Sequence, residues 1–95
     1  MSARLSGLTI GAATLVPTFD PDVTEYTAET TNQTNTITAT PEDEKATVVI
    51  LNGETPVDNG TAATWTDGAN NVSITVTNGS ANKVYSVTVT KTAGA

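Results

Sequence analysis

The stretch 68–91 contains two runs in which apolar residues alternate strictly with Ser and Thr. The apolar positions are Val72, Ile74 and Val76 in the first run and Tyr85, Val87 and Val89 in the second. A period of two residues is typical of strands with one buried face, and Asn78-Gly79-Ser80 supplies turn residues between the runs. Because a hairpin with one apolar face is not stable alone in water, the rest of the chain is expected to form a second layer over it.

Shorter segments with the same period precede this hairpin. The segment 5–10 predicts a first strand that directs Leu8 and Ile10 to one side. Tyr26 is expected to anchor a second strand, with its ring buried and its hydroxyl reaching a partner at the rim. The segment 36–40 alternates cleanly and predicts a third.

The segment 11–21, between the first two strands, is irregular. Pro17 and Pro21 cannot donate hydrogen bonds to a central ladder, so this segment is predicted to be a crossover or an edge. Leu15 and Phe19 are expected to plug the core from it.

The middle of the chain carries a less regular pattern. Four consecutive apolar residues in 46–51 break the alternation, which predicts a bulge or burial on both faces. Asn52-Gly53 then favours a two-residue hairpin with a type I′ turn, and Pro56 marks the returning strand as an edge. The next strand has Trp65 as its large apolar residue, which is expected in the core.

About seven short strands with Gly, Pro and Asn turns are typical of an immunoglobulin-like sandwich, and 95 residues suffice for one such domain. The predicted fold class is all-β, an antiparallel Greek-key sandwich of about seven strands in two sheets, with Thr on the outer faces. The predicted core consists of Leu8, Ile10, Leu15, Phe19, Tyr26, Ile37, Val48, Trp65, Val72, Ile74, Val76, Tyr85, Val87 and Val89.

The charge of the chain excludes several partners. It carries 10 acidic and 4 basic residues, a net charge of −6, which repels phosphate backbones and anionic headgroups, so nucleic acid is not expected as a partner. No apolar run approaches the roughly 18 residues of a membrane span, so no membrane insertion is expected. The first residues lack the apolar core of a signal peptide, so any export signal would have to lie on a longer parent chain.

The residues that usually carry catalysis are missing. The chain has no His and no Cys, and therefore no general base poised near neutral pH and no thiol nucleophile. A Ser or Thr nucleophile would need a buried Lys beside it, but Lys45, Lys83 and Lys91 lie next to turns or at a strand end. We therefore predict no enzyme activity, no catalytic residue and no cofactor site.

Two short carboxylate clusters, Asp20-Pro21-Asp22 and Glu42-Asp43-Glu44, are the candidates for ion binding. Calcium needs about 6–8 converging oxygens, and neither cluster has the spacing of an EF-hand loop. A solvated acidic corner without a metal site is expected at each, and the spacing of 42–44 does not by itself decide whether an ion binds there.

The aromatic residues and Lys91 each allow both a structural and a functional interpretation. Trp65 with Tyr26 or Tyr85 would form a sugar-stacking platform if the rings were exposed. Lys91 is the one sensible donor for a Lys–Asn crosslink, but a Lys at a strand end is expected to be solvated.

Four Asn-x-Ser/Thr sites match the N-glycosylation pattern. They are Asn32, Asn59, Asn71 and Asn78 with their following residues. In a chain this rich in Asn and Thr the matches are expected to be coincidental.

A set of motifs extends over nearly the whole chain, from Leu5 to Lys91. They are Leu5-Ser6-x-Leu8, Gly11, Leu15-x-Pro17-x-Phe19-x-Pro21, Tyr26, Pro41-Glu42-Asp43, Ala46-x-Val48, Asn52-Gly53, Gly68-x-Asn70 and Tyr85-x-Val87-x-Val89. In order and spacing this set resembles the cadherin-like β-sandwich modules of bacterial proteins. One departure is that 48–52 carries one residue more than the usual Ala-x-Val-x-Val-Asn-Gly pattern, which supports a bulge there. The D-x-N-D-N and D-R-E motifs of calcium-binding cadherins do not occur.

The resemblance implies one domain over 5–91, an N-terminal tail at 1–4 and a C-terminal tail or linker at 92–95. It implies a non-catalytic structural or adhesive module, a spacer or display domain of a bacterial surface or secreted protein located outside the cell or at its surface. Its partners would be neighbouring domains of a larger chain or other cell-surface proteins. The family has no catalytic residues to transfer.

Two other functions remain open at this point. A stand-alone phage virion decoration protein of the same fold, bound to virion proteins, is favoured by Met1 and by the few residues ahead of the first strand. A carbohydrate-binding accessory domain with a glycan ligand would need an exposed aromatic pair. The small-residue tail 92–95 fits a linker to a next unit equally well. The family resemblance favours the module, which is the function we expect.

Overall fold

The structure, a computed structural model, describes residues 3–11 and 13–92, which form eight β-strands and no helix. The strands are β1 (Leu5–Ile10), β2 (Glu25–Thr30), β3 (Thr34–Pro41), β4 (Thr47–Asn52), β5 (Thr55–Val57), β6 (Thr61–Thr64), β7 (Gly68–Asn78) and β8 (Ala81–Lys91). The predicted all-β class is confirmed, with eight strands where about seven were expected.

The strands form two sheets. β1, β3 and β6 make one sheet in that order, and β2, β8, β7, β4 and β5 make the other. β7 and β8, with 11 residues each, form the predicted hairpin at the centre of the larger sheet. The chain changes sheet between β1 and β2, β2 and β3, β3 and β4, β5 and β6, and β6 and β7. The two layers are therefore interleaved along the sequence, and their apolar faces meet between them.

One pairing departs from the antiparallel arrangement that we expected. β2 lies parallel to β8, from Glu25 opposite Ser86 to Thr30 opposite Lys91. A hairpin turn forces antiparallel pairing, but most of the chain separates β2 from β8, so no turn sets their relative direction. The direction is set by the crossover from β1 to β2, from which Val16 forms an antiparallel bridge to β2.

The hairpin between β4 and β5 turns one residue later than predicted. Asn52 still pairs with Thr55, so the turn residues are Gly53 and Glu54. Gly53 has a φ of 63°, and no residue other than Gly has a positive φ in 3–11 or 13–92. A positive φ at the first turn position alone is typical of a type II′ turn, so the prediction of a type I′ turn was wrong. Gly79, with a φ of 62°, repeats this arrangement between β7 and β8.

β4 contains neither the bulge nor the two-sided burial that its apolar run predicted. It pairs with β7 over its whole length without a register shift. Ile50 points into the core, whereas Val49 on the opposite face is 53% exposed. The outer face of a sheet accepts β-branched residues, so the run does not require burial on both sides. A register shift does occur in β1, between Leu5 and Gly7.

Most of the predicted core is confirmed. Its fully buried members are Leu8, Ile10, Tyr26, Ile37, Trp65, Val72, Ile74, Val76, Tyr85, Val87 and Val89. Leu15, Phe19 and Val48 are only partly buried and pack against this cluster from its margin. The buried cluster also contains Leu5 and Ile50, each at an inward position of its strand, together with Ala3, Ala28, Ala39 and Ala63.

The predicted tails at 1–4 and 92–95 lie partly outside the described residues. In the described part, Ala3 is buried against the core and Arg4 makes ion pairs. Thr92 donates its backbone N–H to the carbonyl oxygen of Thr30 at 2.9 Å. The ordered contacts of the sandwich therefore reach beyond β1 and β8 at both ends.

Candidate functional site

The two carboxylate clusters meet at one end of the sandwich, around Arg4. Arg4 Nη1 lies 2.8 Å from Asp22 Oδ1, and Arg4 Nη2 lies 3.0 Å from Glu42 Oε2. These ion pairs are exposed, so they contribute little to stability. The sequence did not predict that one guanidinium would join the two acidic segments, because Asp22 and Glu42 are far apart along the chain.

Asp43, in the second cluster, has a structural role. Its Oδ1 accepts a hydrogen bond from the backbone N–H of Lys45, and its Oδ2 accepts one from Nδ2 of Asn78, each at 2.9 Å. These bonds, the one from Lys45 foremost, hold the pKa of Asp43 below its ordinary value of 3.8. Asp43 thus joins the β3–β4 connection to the β7–β8 turn. In the described ranges, no three acidic, His or Cys side chains are grouped so that they could hold a metal ion.

Tyr85 fixes the chain next to this acidic end. Its hydroxyl accepts a hydrogen bond from the backbone N–H of Leu5 at 3.0 Å and donates one to the carbonyl oxygen of Pro21 at 2.6 Å. Burial of the ring raises the pKa of Tyr85 above its ordinary value of 10.0. One side chain of β8 thereby holds the start of β1 and the crossover in place.

Tyr26 acts in the same way on the residue before Pro21. Its hydroxyl donates to the carbonyl oxygen of Asp20 at 2.6 Å and accepts from the N–H of Asp20 at 3.0 Å. The ring of Phe19 stacks on Tyr26 with a centroid distance of 5.8 Å. This confirms the predicted buried ring of Tyr26 with its hydroxyl bonded at the rim.

Trp65 lies just beyond β6 and is 4% exposed, as expected for a core residue. Its Nε1 donates a hydrogen bond to Asn35 Oδ1 at 2.8 Å, and the same oxygen accepts one from Thr30 Oγ1 at 3.0 Å. Tyr26 and Tyr85 are also buried, so all three rings considered for sugar stacking face the interior. The described residues offer no exposed aromatic pair to a glycan.

Lys91 was expected to be solvated, but most of its side chain is covered. Its side chain is only 11% exposed, and its Nζ lies 2.6 Å from Asp67 Oδ1. The aliphatic stem of a Lys can be covered by its neighbours while the ammonium pairs with a carboxylate at the surface, which is the arrangement here. The amide of the nearby Asn70 is already bonded to the backbone at Thr66, Gly68 and Val89, so it is not aimed at Lys91.

Two of the four Asn-x-Ser/Thr sites use the Asn amide structurally. Asn59 Oδ1 accepts from the N–H of Ala39 at 2.8 Å, and Asn59 Nδ2 donates to the carbonyl oxygen of Ala39 at 2.7 Å. This side chain thereby continues the β3 ladder past the end of β6. Asn78 is buried and bonded to Asp43. A glycan on either amide would displace these bonds.

The outer face of the five-stranded sheet carries no charge on four of its five strands. At the outward positions of β4, β5, β7 and β8, which alternate with the buried ones, none of the 10 acidic and 4 basic residues occurs. Glu25 and Glu29, on the edge strand β2, border this face. Val49 and Val84 flank Thr75 in one row across β4, β7 and β8 and are 53% and 49% exposed.

Sequence reasoning missed the buried asparagines. Asn35 and Asn70 occupy inward positions of β3 and β7. Asn70 Oδ1 accepts from the N–H of Thr66 at 3.0 Å, and its Nδ2 donates to the carbonyl oxygen of Val89 at 3.1 Å. The available signal was the alternation itself, which gives Asn35 the same side as Ile37. Within 3–11 and 13–92, every buried side-chain nitrogen and oxygen has a hydrogen-bond partner.

These features define a class of protein, a two-sheet β-sandwich domain whose described polar groups serve turns, ion pairs and packing. The family model of the cadherin-like beta sandwich domain matches residues 5–92, so the chain belongs to this family and the resemblance inferred from its motifs is confirmed. Membership indicates a structural or adhesive module, and such domains are typically non-catalytic. A comparison with curated proteins finds no match. The described residues include no helix that is long and apolar enough to span a membrane.

Proposed function

We propose that this chain is a spacer or display module of a larger bacterial surface or secreted protein and that its partners are the neighbouring domains of that protein. Family membership supports the class of structural or adhesive module. The observation that carries the finer proposal is the position of the two ends of the sandwich.

The chain enters and leaves the sandwich at opposite ends. Arg4, just before β1, is bonded to Glu42, and the adjacent Asp43 is bonded to Asn78 at the β7–β8 turn. β8 runs away from that turn for 11 residues, about 37 Å at about 3.4 Å per residue, and ends at Lys91. The molecule measures 46 × 24 × 17 Å. Units joined end to end would therefore extend a polypeptide along their longest dimension.

The parallel pairing of β2 with β8 suits a unit under tension. β1 and β2 are the strands closest to the N-terminal end of the chain, and β8 is the closest to the C-terminal end. Tension on the N-terminal end acts first on β1, which pairs with β3, and reaches β2 through the crossover; it then pulls β2 and β8 in opposite directions along their length. The backbone hydrogen bonds between β2 and β8 lie across the direction of the tension, so they are loaded together in shear. The hydrogen bonds of a hairpin that is pulled from its ends instead break one after another.

The proposal is tested in the source material with an antibody raised against this domain. We expect a band far above 9.7 kDa in the secreted or cell-envelope fraction. A 9.7 kDa species that co-purifies with virus-like particles would refute the module and assign the chain to a virion, as a decoration protein. Limited proteolysis of the large species should release a stable fragment of about the size of this domain, since linkers are cut before folded units.

A further inference from the structure

We infer that the uncharged outer face of the five-stranded sheet is a self-association surface, which binds the same face of a second copy of this chain. The inference goes beyond the proposed function and does not depend on it, because association of two copies is measurable whether or not further domains are attached.

A few apolar side chains lie among the Ser and Thr residues near the centre of this face. Val49 and Val84 lie on either side of Thr75, and both are about half exposed. Leu51 and Pro56 are opposite each other in the next row, on β4 and β5. Val49, Leu51 and Pro56 are neighbours on this face, and adjacent apolar groups are more typical of an interaction site than single exposed residues are.

The charge distribution selects the occupant. Two copies with a net charge of −6 each repel one another, so a contact between them has to exclude charged groups from its centre. Carboxylates lie around Arg4 at one end of the sandwich, on the edge strand β2 and on either side of the edge strand β5, but none occurs at an outward position of β4, β7 or β8. A charged partner would find no complementary charge there. An identical face is complementary, because Ser and Thr hydroxyls both donate and accept hydrogen bonds.

The uncharged part of the face is close to the size of a small dimer interface. Its four strands, β8, β7, β4 and β5, contain 11, 11, 6 and 3 residues in the order in which they lie in the sheet. At about 3.4 Å per residue and about 4.8 Å per strand they cover about 500 Å² in flat projection. The smallest stable interfaces bury about 600 Å² of accessible surface per partner, so a contact over this area lies at the lower limit of that range.

The row of Val49, Thr75 and Val84 suggests how two copies fit. Consider a two-fold axis that lies between two stacked sheets and runs parallel to β7. It places β4 of one copy over β8 of the other. Val49 of each copy then contacts Val84 of the other, with Thr75 near the axis. The two valines are thereby buried twice in each dimer.

Sedimentation equilibrium of the full chain from about 1 μM to about 1 mM tests the inference, since this range covers weak and moderate dissociation constants. We expect a concentration-dependent shift from 9.7 kDa to twice that mass. Association should strengthen when salt is raised, because screening reduces the repulsion between the acidic ends. A monomer throughout this range would overturn the inference, and so would a dimer that salt dissociates.

Three single variants locate the surface. Val49→Lys and Val84→Asp should each raise the dissociation constant at least about tenfold, because each places two unpaired charges in the contact. Val16→Asp is the matched control: Val16 is 61% exposed but lies on the crossover next to β2, so association should not change. Circular dichroism should show the same fold for all three. Association that is weakened by Val16→Asp but not by Val49→Lys or Val84→Asp would overturn the assignment to this face.

The double variant Val49→Lys/Val84→Asp tests the two-fold arrangement. Each introduced ammonium would lie opposite an introduced carboxylate of the other copy, so association should recover relative to both single variants. Failure to recover would overturn the contact between Val49 and Val84. A glycan would be the ligand of this face if the wild-type chain were monomeric and retained on insoluble cell-wall polysaccharide, and if the single variants lost this retention. That result would refute self-association.

Discussion

Trp65 ties the start of β3 to the end of β6 through its packing and its single polar atom. Its ring is buried, and Nε1 is bonded to Asn35 Oδ1 at 2.8 Å. Trp65→Ala should lower the free energy of unfolding by about 3–5 kcal/mol, because a large cavity remains in a close-packed core. Trp65→Phe should cost less, since it removes a smaller part of the buried side chain together with the bond to Asn35, whose Oδ1 keeps its bond from Thr30 Oγ1. Urea unfolding measures both variants.

The fluorescence of the wild-type protein gives an independent check on Trp65. We expect blue-shifted emission in the folded state that shifts to the red on unfolding, as for an indole shielded from water. Red emission that is freely quenched in the folded protein would place Trp65 at the surface and would support a sugar-binding role.

Tyr85 combines a packing role with a titratable group. Tyr85→Phe leaves the N–H of Leu5 and the carbonyl oxygen of Pro21 without their partner, and should cost about 1–3 kcal/mol of stability. Tyr26→Phe is the matched control, because both bonds of Tyr26 to Asp20 are only partly buried and water can replace them, whereas the bond from Leu5 to Tyr85 is buried. A cost for Tyr26→Phe equal to or above that of Tyr85→Phe would contradict the stronger role of Tyr85.

Tyr85 also predicts a pH dependence in the alkaline range. Burial raises its pKa above 10.0 in the folded state, so the neutral hydroxyl stabilises the fold at pH values below the unfolded-state pKa. This contribution is lost as pH rises through the folded-state pKa, because the unfolded chain releases the proton first. We expect stability to fall as pH rises through the unfolded-state pKa of about 10 and beyond it, and to fall less in Tyr85→Phe. Parallel curves for the two proteins would show that Tyr85 does not contribute.

Among the strands, β4 shows how far hydrophobic periodicity can be used. Its apolar run gives both faces of the strand hydrophobic residues, so periodicity does not show which face is buried. Only the pairing with the neighbouring strand β7 shows this. Pairing of Ile50 with Ile74 on the buried side of β7 makes Ile50 the core residue and leaves Val49 outside. The predicted bulge failed because a one-residue insertion relative to a family pattern does not reveal whether the strand or its turn absorbs it. Here the turn begins one residue later, at Gly53.

The parallel pairing of β2 with β8 leads to a prediction for proline substitutions in β2. Thr27 exchanges both backbone hydrogen bonds with Val16, each at 2.8 Å, so its neighbour Ala28 directs its N–H to β8 and Glu29 directs its N–H to the open edge. Ala28→Pro should lower stability by about 1–3 kcal/mol, because it removes a ladder hydrogen bond at a buried position. Glu29→Pro should cost clearly less, since no ladder bond is lost.

Force spectroscopy on a tandem of this domain extends that comparison to tension. Ala28→Pro should lower the unfolding force more than Glu29→Pro does, because only the former breaks the set of bonds that is sheared. Equal unfolding forces for the wild type and Ala28→Pro would show that the β2–β8 pair does not carry the tension.

For the molecule as a whole, we predict that calcium adds no stability. The carboxylates at the acidic end are bonded to Arg4, to the backbone of Lys45 and to Asn78. A ligand at about 100 times its dissociation constant stabilises by about 2.7 kcal/mol, which would raise the melting temperature by several degrees. Melting curves in millimolar calcium and in EDTA should coincide. A higher melting temperature in calcium that Asp22→Asn and Glu42→Gln abolish would establish an ion site.

The arrangement of charges is also a property of the whole molecule. Acidic groups that are scattered along the sequence lie around Arg4, on the edge strand β2 and on either side of the edge strand β5, while the outward positions of β4, β7 and β8 carry no charge. This separation permits a chain with a net charge of −6 to approach a second copy through that face. Length and composition do not indicate it, since they state the charge but not its position.

The positions of the strands, the inward side of most of them, the all-β class and the family all follow from the order of residues in this chain. Alternation between apolar residues and Ser or Thr acts within one strand, so it is visible locally, as in β7 and β8. The absence of His and Cys likewise narrows the chemistry without any knowledge of the fold.

The strand partners and the roles of polar residues were decided only by the tertiary structure. The parallel pairing of β2 with β8, the placement of Arg4 between Asp22 and Glu42, and the burial of Asn35 depend on groups that are distant along the chain. A polar side chain is buried where the fold supplies its hydrogen bonds, and no local pattern shows whether it does so. Periodicity therefore identified the apolar faces, and packing of the two sheets selected their partners.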